Sequence, residues 1–161
     1  MLLFHTACGV LALLTGAYVL LTPKGTPAHR LGGRTYAAAM YVLCATSFAL
    51  HQLGGVGGAV FHVMSVVNAL IVTRGLWFVL RRPPNWLRRH YFTMSYSYYG
   101  LLMATDSHLL AYVPLPSMWA KALLLWAVPY AAATAIIVRG ASRLPRLGAG
   151  LPGGGPPLAA T

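Results

Sequence analysis

Residues 2–21, LLFHTACGVLALLTGAYVLL, run for twenty positions without one charged side chain. About 20 apolar residues is the length that spans the hydrocarbon core of a bilayer as a helix. A helix is also the form in which such a segment satisfies its own backbone hydrogen bonds where no water can. Four more apolar stretches follow, giving expected spans at 2–22, 35–53, 59–80, 90–112 and 117–138. Only 8% of the 161 residues are charged and 58% are hydrophobic, against about 25% charged in a soluble domain. The expected fold is all-α: a polytopic membrane helix bundle of five transmembrane helices over residues 1–139. No basic segment precedes the first span, so it is expected to persist as a helix and not to be cleaved as a signal peptide. From Gly140 the sequence turns Gly/Pro-rich, GASRLPRLGAGLPGGGPPLAAT, and residues 140–161 are expected to be a disordered cytoplasmic tail.

The connectors alternate in charge. The first carries Lys24, Arg30 and Arg34, the third carries Arg81, Arg82, Arg88 and Arg89, and the start of the tail carries Arg139, Arg143 and Arg146. The second and fourth, LGGVGG and VPLPS, carry no basic residue. With basic loops on the cytoplasmic side, the N-terminus is outside, the C-terminus is cytoplasmic, and an odd number of spans is required. A net charge of +11 would point to nucleic acid in a soluble protein. Here it sets orientation and favours anionic lipids at the cytoplasmic face of the bilayer, and no nucleic-acid partner is expected. The expected location is the cytoplasmic (inner) membrane. Cys8 and Cys44 lie inside spans and read as small packing residues, not as a disulfide framework.

Ionisable groups at membrane depth are costly and mark functional sites by default. His5, His51, His62 and His108 all fall near the outer ends of their spans, while His29 and His90 lie at the inner boundary. His90 and His108 are eighteen residues apart, five full turns, and share one face of the fourth helix. Met94, Ser97 and Thr105 fall on that face; on the second helix Tyr36, Met40, Cys44, Ser47 and His51 form a similar stripe. Imidazoles facing each other at one depth suit haem iron or a transition metal, with His5, His62 and His108 as outer ligands, His51 as a weaker one, and His90 with His29 at an inner site. Asp106 and Lys121 sit symmetrically about the turn at Val113–Pro114 and are expected to form a structural ion pair. There is no G-x-S-x-G, H-E-x-x-H or phosphate loop, which leaves hydrolase and kinase chemistry without a motif.

Three short stretches, HTACG at 5–9, HRLGGRTY at 29–36 and HYFTMSYSY at 90–98, resemble a family of small bacterial membrane proteins, domain of unknown function 2306. Its pattern maps onto His5 and Gly9; onto His29, Arg30, Gly33, Arg34 and Tyr36; and onto His90, Met94 and Tyr98. The resemblance covers about residues 1–130, and it implies a multi-helix membrane protein without implying an activity. A looser analogy links the two histidine layers to transmembrane cytochromes b that hold one haem near each membrane face. Three functions stay open: a haem b or transition-metal protein for membrane electron transfer, a metal-ion or proton transporter or channel using the same histidines, and a non-catalytic scaffold or accessory subunit.

Overall fold

The computed structural model describes residues 1–50, 56–108 and 112–144. These residues form helices and connecting turns, with no strand among them. The helices are α1 (Leu2–Leu21), α2 (Pro27–Leu50), α3 (Val56–Arg81), α4 (Trp86–Ser107), α5 (Met118–Ala122) and α6 (Val128–Ser142). A π-helical segment, Leu123–Ala127, joins α5 to α6 into one rod. Pro129 follows one residue beyond its end, after Val128. Proline has no N–H to give an earlier carbonyl, and a π-type turn is a common local response to such a break.

Helix α1 packs on α2, α2 on α3, α3 on α4, and α4 returns to α1, so four helices close around one interior. The rod of α5 and α6 lies against the outer side of α4. Ala12, Tyr36, Met40, Cys44, Val72 and Leu101 form the core. The outward faces are apolar instead of charged: Leu3, Leu14, Leu70, Leu80 and Ile136 are all exposed. That pattern is unsuited to water and suited to lipid.

Three helical stretches, Leu2–Leu21, Gly58–Arg81 and Trp119–Ser142, are long and apolar enough to cross a membrane. Helices α2 and α4 have 24 and 22 residues, lengths that would also suffice at about 1.5 Å per residue, but they carry more polar groups. Several of those groups point inward: Tyr36 and Ser47 of α2, and Ser95, Ser97 and Tyr99 of α4, are buried.

The second helix begins at Pro27, eight residues before its expected span at 35. Pro27 opens the first turn, where a missing N–H costs nothing, and the Thr26 hydroxyl accepts the His29 N–H at 3.2 Å as an N-terminal cap. Gly32 is no helix breaker here: a Cβ on it would come within 2.8 Å of Val19, so glycine lets α2 lie close against α1. Helix α6 runs to Ser142, four residues beyond the expected span end at 138. His51 and residues 145–161, most of the expected disordered tail, lie outside the described residues.

Gly16 is the tightest point of α1. A Cβ there would collide with the Tyr98 ring and reach 3.0 Å from Tyr36. Gly16→Val is therefore expected to destabilise the detergent-solubilised protein by about 1–3 kcal/mol, read as a lower melting temperature. Gly33→Ala, where nothing lies within 4 Å of the added Cβ, should leave that temperature nearly unchanged.

Candidate functional site

Two cavities among the described residues of the bundle concern the site. The larger, about 610 Å³, opens between α1, α2, α3 and α4 at the end where the basic connectors gather. Its apolar walls include Val19, Leu76, Val79 and Leu87. Eight residues singled out on α2 and α4 line it together: His29, Arg30, Gly33, Arg34, Tyr36, His90, Met94 and Tyr98. Helical spacing places each set on one face, and the contact of α4 with α1 and the α1–α2 turn bring the two sets into one space.

His90 is held in one tautomer. Its Nδ1 lies 2.9 Å from the Gly75 carbonyl oxygen. A carbonyl can only accept, so Nδ1 carries the proton and Nε2 of the neutral ring carries the lone pair. This is the arrangement in which imidazole serves as a ligand, with its second nitrogen fixed by a backbone carbonyl. His29 has a buried Nδ1 with no hydrogen-bond partner among the described residues. Burial, then the nearby Lys24 ammonium, hold its imidazole below the ordinary value, while the Val19 carbonyl acts in the opposite sense. His29 is thus neutral at pH 7.

Four cations also border this cavity: Lys24, Arg30, Arg34 and Arg82. Two are engaged with the backbone. Lys24 Nζ donates to the Val19 and Leu20 carbonyls at 2.8 and 2.9 Å, capping the end of α1, and Arg30 donates twice to the Gly25 carbonyl. Arg82 lies over the Trp86 ring at 5.7 Å. Arg34 makes no side-chain hydrogen bond or ion pair among the described residues. Lys24, Arg82 and Trp86 were not foreseen as site residues; their signal was position in a basic connector, which orientation alone accounted for.

The model of a family described as predicted membrane proteins matches residues 2–140. The chain belongs to the DUF2306 family. No curated protein and no solved structure matches it.

Of the outer histidines among the described residues of this DUF2306 protein, two share a cavity and one does not. His5 and His108 line a second cavity of about 210 Å³ near the opposite end of the bundle, together with Gly9. His62 is buried against Phe48, ring on ring at 4.6 Å, and is not part of that lining. Both its ring nitrogens lack a partner among the described residues. Asp106, in the last turn of α4, and Lys121, in α5, are both partly buried. Among the described residues no three His, Cys, Asp or Glu side chains are grouped so as to hold a metal ion, so they form no tetrahedral site of the zinc type. A haem asks less of the protein, since its iron takes only axial ligands from the chain.

Tyr36, in the lining of the larger cavity, and Ser97 have hydroxyl oxygens 2.9 Å apart. Ser97 gives its proton to the Met94 carbonyl, so the Tyr36 O–H donates to Ser97. Replacing Ser97 by Val leaves a buried tyrosine hydroxyl without its acceptor, at a cost of about 1–3 kcal/mol. Paired replacement with Tyr36→Phe should restore part of that loss, which a double-mutant cycle of melting temperatures checks.

Proposed function

We propose that this protein is a membrane redox subunit that binds haem b in the inner cavity and passes electrons within the cytoplasmic membrane. The observation that carries this is the His90 Nδ1–Gly75 carbonyl bond, which leaves an imidazole lone pair on a cavity that also holds a second, neutral imidazole. Haem b combines an apolar macrocycle, two carboxylates and an iron that accepts axial imidazole. The cavity has a counterpart for each: leucine and valine walls, the uncommitted guanidinium of Arg34 with Arg82 beside it, and His90 with His29. Its volume lies within the roughly 300–1,000 Å³ typical of small-molecule and cofactor sites. His90 would be the primary ligand and His29 the second.

In this reading all five rods cross the bilayer, with the N-terminus outside and the C-terminus cytoplasmic. Burial of the polar faces of α2 and α4 supports the two spans that composition alone leaves short of the mark. The inner cavity then opens toward the cytoplasmic face, where Arg34 and Arg82 also meet anionic lipid.

Protein purified in detergent from cells supplied with haem should show a Soret band and a reduced-minus-oxidised difference spectrum. His90→Ala should abolish both while eluting as wild type in size-exclusion chromatography, whereas His5→Ala and His62→Ala should keep them. Ligation needs neutral imidazole, so absorbance should be lost as pH falls through the histidine range and not as it rises. A wild-type protein without a Soret band overturns the proposal.

A further inference from the structure

The outer cavity holds an amide donor that the chain does not use. Three of the lining hydroxyls are spent. Ser47 gives its proton to the Cys44 carbonyl, Ser65 therefore donates to Ser47 across 2.6 Å, and Thr105 donates to the Leu101 carbonyl. Asn68 of α3 differs from them. It lines the cavity and is only 9% exposed. Its Oδ1 is closed off from the surface, so the polar atom it offers to the cavity is Nδ2. Neither atom has a hydrogen-bond partner among the described residues. The amide has its space because α4 carries glycine opposite: a Cβ on Gly100 would come 3.1 Å from Nδ2 and 3.4 Å from Cγ. Asn68 also lies near the middle of the apolar stretch Gly58–Arg81. At that depth water is scarce, and an N–H without an acceptor is costly.

Charge, donor chemistry and size together bound what can satisfy it. No Lys, Arg, Asp or Glu is among the residues that line the cavity, so an ion would lose its water without gaining a counter-charge. An amide N–H asks for an acceptor, and a carbonyl oxygen supplies one without bringing charge. The volume is about 210 Å³. A cavity of about 150 Å³ holds one benzene ring, so this space suits one substituted six-membered ring and not a long chain. Val10, Leu13, Leu43 and Met64 give it apolar walls. We propose that the outer cavity binds an uncharged ring compound bearing a carbonyl, of the quinone class, with Asn68 Nδ2 donating to one carbonyl oxygen. The cavity shares no lining residue with the inner one, so the proposal does not rest on haem binding.

Three probes test it. Tetramethylbenzoquinone is fully substituted, which blocks thiol addition by Cys44 in the lining. Tetramethylbenzene is the same ring without carbonyls, and a short-chain methyl ester brings a carbonyl without a ring. Binding to the full-length wild-type protein in detergent is measured by equilibrium dialysis against protein-free micelles, which cancels partition into the detergent. The quinone should bind about tenfold more tightly than the hydrocarbon, the difference one hydrogen bond makes, and more tightly than the ester. Asn68→Leu should hold the two ring compounds equally. The proposal is overturned if the hydrocarbon or the ester binds wild type as tightly as the quinone, if no probe binds saturably, or if a folded Asn68→Leu protein keeps the preference. The comparison of probes on wild-type protein decides the matter even where Asn68→Leu fails to fold. A missing Soret band overturns the haem reading alone and leaves these results standing.

Discussion

Helices α2 and α4 face each other across the bundle, and the hydrogen bond from Tyr36 to Ser97 joins them at its centre. Tyr36 is 2% exposed and Ser97 is fully buried. Both hydroxyls are buried, and a buried hydroxyl that misses its partner costs free energy, so this pair ties together the facing of two helices. The Tyr36 face runs from His29 to Ser47 and the Ser97 face from His90 to Thr105, and that contact joins the two. The two cavities give the interior a basic end and a second end lined by serine, threonine, histidine and asparagine.

That division follows from chemistry more than from shape. At the basic end, guanidinium and ammonium groups lie beside neutral imidazoles, and the backbone takes up two of the cations by capping α1 and closing the α1–α2 turn. What remains for a ligand is one uncommitted arginine, one arginine resting on tryptophan, and an imidazole whose tautomer is set by a carbonyl. At the other end, each serine and threonine of the lining with an assigned bond has already given its proton to the backbone of its own helix or to its neighbour. Intrahelical donation of this kind is the habit of Ser and Thr in apolar helices.

Much of this was legible beforehand. The helical architecture and membrane class follow from twenty-residue apolar windows, and the family follows from HRLGGRTY and HYFTMSYSY. The helix boundaries were harder. The span expected from 35 left Gly32 outside the helix, yet Gly32 serves close packing against α1, a role that only the neighbouring helix reveals. The depth argument placed His5 and His108 near one level, and they do share a cavity. Depth says nothing of rotation, however, and His62 at a similar level turns against Phe48. Asn68 drew no attention in an apolar run of α3, because a lone amide becomes notable only when its carbonyl is seen to lack a partner. The weight given to the outer histidines shifts to His90 because one backbone oxygen, that of Gly75, settles which nitrogen is available.

The most direct test of the inner site is native mass spectrometry of the full chain released from its detergent micelle, after expression with haem supplied. The expected spectrum shows the chain one haem b heavier, at a ratio of one to one, with the added mass lost in His90→Ala and retained in His108→Ala. A spectrum of bare chain alone, or an added mass that persists without His90, would contradict the assignment.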